Sequence, residues 1–247
     1  VALSMALAPL LFILGDRLNA RDAAANPVET PERDALPDAP NPVVVAGFGR
    51  VGQVLGRILI ARKVPFTALD IDHEEVQMVK RFGIQAYYGN AAHLDVLHAA
   101  QVGEAKIFVL AIDNIETSLR AAELVRKHFP HVTVIARARN RFHAYRLMDL
   151  GVELIARETF RSTLEMTGMV FEQLGKPADK VKQILDRFAA HDIALLKREQ
   201  ALYHDENQLI QSANEANHEL AQILEEELGV VLVDPSTPPP EIGRAHV

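Results

Sequence analysis

The chain has 247 residues, 49% hydrophobic and 24% charged, which supplies a sizeable core and excludes a wholly disordered protein. A formal net charge of −7 lacks the basic excess of a nucleic-acid binder, so no nucleic-acid partner is expected. Cysteine is absent, which excludes disulfides, thiolate metal sites and a cysteine nucleophile; any response to oxidants or electrophiles must pass through a bound ligand.

Residues 1–14 (VALSMALAPLLFIL) carry no charge and are interrupted only by Ser4 and Pro9. A full bilayer span needs about 20 residues. A signal peptide would open with a methionine and a basic region, and a core helix would be amphipathic rather than apolar all round. The stretch therefore reads as the end of a truncated transmembrane helix. Gly15-Asp16-Arg17 marks its exit, and Arg17 and Arg21 favour the cytoplasmic side. Residues 15–42 read as a linker. Five of the 13 prolines lie between Asp22 and Pro42, barring a helix and keeping the chain semi-extended.

From Val43 the pattern alternates strand and helix. Val43–Ala46 breaks into Gly47-Phe48-Gly49-Arg50-Val51-Gly52, re-forms as a helix over Gly52–Arg62, and returns as a strand over Phe66–Ile71. A strand, Gly-x-Gly-x-x-Gly and a helix in that order form the dinucleotide-binding fingerprint. Gly47 allows the tight turn, Gly49 lets backbone approach a phosphate, and Gly52 lets helix pack on strand. The amides and dipole of the helix start favour the phosphate, so the glycine loop is a candidate nucleotide site. Asp70 closes the second strand, placed to accept ribose hydroxyls and repel a 2′-phosphate, which favours AMP or NAD(H) over NADP.

Further strands are expected at Ile84–Tyr88, Ile107–Ile112, Val132–Ala136 and Val152–Ala156. Helices are expected at Glu74–Phe82, Leu94–Ala100, Thr117–His128 and Arg141–Leu150. Apolar strands separated by helices imply an α/β fold: over residues 43–157, a doubly wound six-stranded parallel, Rossmann-like sheet with ligand at its carboxyl edge. Asn90 and Asp113 fall at strand ends, suited equally to ligand contact and to turn capping. Arg137, Arg139, Arg141 and Arg146 follow the fifth strand, with Arg157 and Arg161 nearby. Such guanidiniums bind the carboxylates or phosphates of a small acidic ligand, or form structural salt bridges on a solvated face. No histidine spacing suggests a metal, no nucleophile motif is present, and no catalytic half follows the sheet.

Residues 158–229 read as a helical dimerisation or regulatory extension. Apolar positions recur through Thr159–Leu174. From Asp192 to Leu228, Leu196, Leu202, Leu209, Ala213, Asn217, Leu220, Leu224 and Leu228 follow one narrow stripe, suited to a partner subunit or to the chain's own domain. Residues 230–247 read as a disordered tail. The last six, Ile242 to Val247, resemble a translated sequencing adapter and are set aside as an assembly artefact.

Taken with the apolar start and the linker, the run from Ala46 to Gln53 resembles the cytosolic portion of Kef-type glutathione-gated potassium efflux antiporters, of the monovalent cation:proton antiporter-2 family, whose nucleotide domain is the RCK/KTN domain. Matching stretches include Leu69-Asp70-Ile71-Asp72, Arg81-Phe82-Gly83, Tyr88-Gly89-Asn90-Ala91, Ala111-Ile112-Asp113-Asn114, Ile135-Ala136-Arg137-Ala138-Arg139 and Arg157-Glu158-Thr159-Phe160. The resemblance implies a homodimer that binds a nucleotide and holds glutathione between subunits, shutting the transport path until glutathione conjugates open it. It also implies a transmembrane antiporter domain in the same full-length chain, a bacterial inner-membrane location with this portion facing the cytoplasm, and a flavin oxidoreductase as ancillary subunit.

The implied nucleotide contacts fall on Gly47, Gly49, Arg50, Gly52 and Asp70. The family's Gly-Asp-Ala reads Gly-Asn-Ala here, so Asn90 lacks the carboxylate. The implied glutathione contacts fall on Arg57, Phe82 and Arg157, with the family's asparagine replaced by Asp192, which when ionised only accepts hydrogen bonds. Arg57 lies on the helix that starts at the glycine loop, so nucleotide and regulatory ligand would share one helix. A soluble NAD-dependent oxidoreductase and a nucleotide-only gating subunit are the alternatives.

Overall fold

The computed structural model describes residues 40–228, with the side chains of the last six left out. The membrane helix expected at 1–14, nearly all of the linker and the tail from 230 lie outside the described residues. No helix among the described residues is long and apolar enough to cross a membrane.

Six strands, β1 (Val43–Ala46), β2 (Phe66–Asp70), β3 (Gln85–Tyr88), β4 (Ile107–Leu110), β5 (Thr133–Ala138) and β6 (Leu154–Arg157), form one sheet in the order β3-β2-β1-β4-β5-β6. Every neighbouring pair is parallel. Five helices connect them in turn: α1 (Arg50–Ala61), α2 (His73–Arg81), α3 (Leu94–Ala99), α4 (Ile115–His128) and α5 (Arg141–Asp149). Then come α6 (Phe160–Gln173), α7 (Ala178–Gln200) and α8 (Glu206–Leu228). This is the Rossmann-like sheet read from the sequence, with strand and helix ends shifted by a few residues.

All four residues of β1 are buried, which explains why the strand reads as an unbroken apolar run. Successive side chains leave a strand on opposite faces. Val44 and Ala46 accordingly join Phe108, Leu110, Leu97, Val125 and Leu147 in one core layer. Val43 and Val45 join Phe48, Phe66, Val76 and Val79 in the other. Helix starts are fixed by side-chain caps: Asp72 accepts from the Glu74 amide at 2.9 Å, Asn114 from Thr117 at 2.9 Å and Asn140 from His143 at 2.8 Å. Asp72 is followed by Glu74 and Glu75 in the first turn of α2, with Lys80 and Arg81 in the last, matching the helix dipole at both ends.

The extension departs from the single stripe expected from Asp192 to Leu228. Helix α7 ends at Gln200, and α8 restarts after Asp205, whose carboxylate accepts from the amides of Asn207 and Gln208 at 3.0 and 3.2 Å. That cap competes with continued helix, so the stripe belongs to two helices. They pack on each other, with Glu219 meeting His191 and Arg198 at 3.4 and 3.3 Å. Small residues, Ser212 and Ala216, make the buried line of α8, while Asn217 is exposed. Helix α7 in turn packs on α5, so here the extension lies on its own domain.

Gly52 joins α1 to the loop below it. A Cβ there would stand 2.3 Å from the Gly47 carbonyl oxygen, backbone that cannot swing aside. Gly52→Ala is expected to cost at least the roughly 1–3 kcal/mol of an overpacked core. Urea unfolding measures it; an unchanged midpoint would contradict this packing.

Candidate functional site

The strand order reverses between β1 and β4, and a cleft of about 570 Å³ opens there at the carboxyl edge. Gly47, Gly49 and Arg50 form its floor from the β1–α1 loop, where Gly47 takes φ +90° and donates its amide to the Leu69 carbonyl at 2.8 Å. A side chain at Gly47 would also strike the Ile112 amide, at 2.7 Å. Asp70, Asn90 and Asp113 line the cleft from the ends of β2, β3 and β4. Six of the seven expected nucleotide residues thus converge. Gly52 is the exception, buried beneath the loop as packing and not a wall of the cleft.

The two sides of the cleft differ in charge. On the β2 side stand Asp70, Asp72 and Glu75. One Asp70 carboxylate oxygen accepts from the Phe48 amide and the other from the Asp72 amide at 2.8 Å, so Asp70 sets both the glycine loop and the next turn. Asn90 caps its turn through the Ala92 amide at 2.9 Å while lining the cleft.

On the β5 side, the arginine run supplies the wall. Arg137, only 8% exposed, donates to the Ala111 carbonyl at 3.0 Å, to Asp113 at 2.6 Å and to Glu158 at 2.6 Å. Arg139 meets the other Asp113 oxygen at 3.3 Å, and Arg50 meets Glu158 at 3.5 Å. The Arg137 Nε is buried without a partner among the described residues. Turn capping falls to Asn114, leaving Asp113 to organise the guanidiniums. An acidic side suits hydroxyls and a basic side suits phosphate.

His143 holds the turn that carries Arg139. Its Nδ1 accepts the Arg139 amide at 3.3 Å, and its Nε2 is buried without a partner among the described residues. Burial, then the nearby Arg146 and Arg137, pushes the imidazole from its ordinary 6.5 down to about 4.

The expected glutathione residues divide into two groups. Arg157 and Asp192 are in direct contact, and Arg141 donates to Asp192 from the other side at 2.6 Å. Arg141 also donates to Glu199 at 2.7 Å, as does the Tyr145 hydroxyl at 2.6 Å. Burial opposes the charge on Arg141, but the hydrogen bonds to Tyr145 and Glu199 prevail and raise its pKa; burial and Glu199 push the Tyr145 phenol up to about 12. Arg157 stacks 3.8 Å over the Phe160 ring. Asp192 is therefore an ion-pair partner within the chain. The pairing with Glu199 went unread in the sequence, although Asp192 and Glu199 lie two turns apart on one helix face.

Arg57 and Phe82 are exposed, Phe82 by 74%. Phe82 precedes β3 and Arg157 ends β6, the two edges of the sheet, five strand steps or about 24 Å apart. One copy of the chain does not bring them together.

Fold and cleft define a nucleotide-binding Rossmann module followed by helices. A TrkA-N domain model matches residues 43–158, and a model of the potassium efflux system KefB C-terminal domain matches 162–232. The Kef C-terminal domain of Shewanella denitrificans, solved in AMP-bound form, is 36% identical, with TM-score 0.58 over 65% of this chain and 98% of that one. The TrkA-N domain of the inner membrane protein ybaL from Escherichia coli is 25% identical, with TM-score 0.51 over 54% of this chain and 98% of that one. The glutathione-regulated potassium-efflux system protein KefC of Escherichia coli O139:H28 is 36% identical over 197 residues, which are 80% of this chain and 31% of that relative's length. The chain belongs to the Kef family, as its C-terminal domain.

A histidine held neutral when folded takes up protons on unfolding. Stability is therefore present above pH 6.5 and lost as pH falls toward 4. Replacing His143 with asparagine, which keeps an acceptor, is expected to flatten the fall in melting temperature across that window. An unchanged pH profile would contradict the depressed imidazole.

Proposed function

We propose that this chain is the cytoplasm-facing regulatory part of a potassium:proton antiporter of a bacterial inner membrane. In this reading it binds AMP or NAD(H) in the cleft and glutathione or its conjugates nearby, and the transport domain belongs to the same full-length chain. The cleft carries the reading: a glycine floor with acids on one side and arginines on the other, in a chain similar in sequence to a domain solved with AMP. The name of the KefC relative supports potassium efflux and glutathione regulation.

A sensor, rather than an oxidoreductase, is supported by the state of the cleft's carboxylates. Asp70 is held by backbone amides, Asp113 by two arginines and Glu75 by Gln53 at 2.9 Å. Each is committed to organising the site. Ligand binding would favour one of two domain arrangements by its differential affinity for them, and the linker would carry that preference to the membrane helices.

Two copies are supported by apolar surface. Met166, Met169, Val170 and Leu174 are exposed at helical spacing along α6 and just beyond it, and Val54 and Ile58 are exposed one turn apart on α1. A second copy would also bring an Arg57 and Phe82 toward an Arg157. A flavin oxidoreductase partner rests on the family resemblance alone. The nucleotide-only sensor is the second reading, favoured by the occupation of Arg157 by Asp192.

Thermal melts with AMP, NADH, NADPH, glutathione and a glutathione conjugate separate these readings. A ligand at 100 times its Kd stabilises by about 2.7 kcal/mol. AMP or NADH is expected to shift the melt and NADPH to shift it less; a shift by glutathione selects the first reading and its absence the second. Asp70→Ala is expected to weaken AMP by about 10- to 100-fold, the loss of a charged hydrogen bond. Arg157→Glu should weaken glutathione while AMP binding persists, and calorimetry showing unchanged glutathione affinity would remove Arg157 from the site.

A further inference from the structure

Arg141, Arg157, Asp192 and Glu199 form a closed cluster of two cations and two anions where α7 meets the sheet domain. Each oxygen of Asp192 is taken by a different guanidinium: Oδ1 by Arg141 at 2.6 Å, Oδ2 by Arg157. Two arginines gripping one carboxylate from two sides is how a free carboxylate ligand would be held. Here the carboxylate comes from the chain itself.

The two acids are not equivalent. Glu199 is the more enclosed, with its side chain 4% exposed, and one of its oxygens receives both Arg141 and the Tyr145 hydroxyl. Asp192 is 12% exposed, and its partners Arg157 and Arg141 are 13% and 32% exposed. Solvent therefore reaches the Asp192 side of the cluster more readily than the Glu199 side. The cluster is also charge-balanced. Another carboxylate entering would leave an uncompensated anion in a half-buried site, which is strongly disfavoured. Entry without the departure of Asp192 is disfavoured, and entry by exchange preserves the balance.

We propose that Asp192 is an internal stand-in for a ligand carboxylate, and that an acidic ligand reaches Arg141 and Arg157 by displacing it. The proposal rests on the placement of glutathione at Arg157 given above, and names how that site is regulated. Exchange lowers the apparent affinity by the fraction of time the seat is vacant. It also frees α7 from both ion pairs of Asp192, leaving Glu199 with Arg141 and Tyr145. Ligand occupancy and the seating of the helical extension become one equilibrium.

The test compares the unmodified chain with Asp192→Asn, which removes the competing charge, and Asp192→Glu, which keeps it. Calorimetry is run with glutathione, with succinate as a bare dicarboxylate probe, and with AMP as a control for folding. Asp192→Asn is expected to bind glutathione at least about tenfold tighter and Asp192→Glu to resemble the unmodified chain, with AMP still bound throughout as the sign of a folded cleft. Equal glutathione affinity in the unmodified and Asn chains overturns the exchange and leaves the glutathione reading standing. Binding of succinate but not glutathione by the Asn variant upholds the exchange and removes glutathione; binding of neither overturns the exchange. Should the Asn variant fail to fold, hydrogen exchange on the unmodified chain decides. Saturating glutathione, or succinate if glutathione fails to bind, should speed exchange of the Ala178–Gln200 amides, and unchanged or slowed exchange overturns the proposal.

Discussion

The parallel pairing of β1 with β2 on one side and β4 on the other sets the rest of the molecule. Ala46 lies level with both Leu69 and Leu110, so three strands end together and their carboxyl ends form one edge. Right-handed crossovers then send connections to opposite faces on either side of β1, and the parting leaves a crevice above it. The glycine loop floors that crevice because only a residue with positive φ and no side chain turns there beneath Ile112. Asp70, Asn90, Asp113 and Arg137 reach it because their strands stop at the same edge.

The segment joining β5 to α5 connects this crevice to the extension. Arg137 and Arg139 face the cleft through Asp113, while Arg141, two residues on, faces α7 through Asp192 and Glu199. Between them Asn140 caps α5 and His143 accepts the Arg139 amide. A ligand phosphate competing for Arg137 or Arg139 and a ligand carboxylate competing for Arg141 would pull on one short turn. Contiguity of this kind supplies a route; the coupling free energy between two occupants is what makes it a mechanism.

Features with a local cause were legible in the sequence. The glycine fingerprint, the buried strands and Asp70 follow from short-range chemistry: a turn that needs glycine, a sheet covered on both faces, an acid at a strand end. The arginine run showed its charge but not its partners, because those lie 24 residues away for Asp113 and 51 and 58 away for Asp192 and Glu199. No periodicity records such pairings. The family pattern placed Asp192 beside a ligand, but its pairing with Arg141 and Arg157 is written in no local pattern. The break at Ala201–Asp205 is hidden in the sequence because leucine spacing continues across it, and the Asp205 cap that starts α8 is one acid among many in a polar stretch.

If the cleft and the arginine–carboxylate contact belong to one sensor, its two ligands share the β5–α5 turn and are coupled through it. Calorimetric titration of AMP, with and without saturating glutathione, tests it most directly. Glutathione is expected to change AMP affinity, with AMP changing glutathione affinity by the same factor, about 5-fold or more for a coupling of 1 kcal/mol upward. Identical AMP affinity in both titrations, with glutathione demonstrably bound, would contradict it.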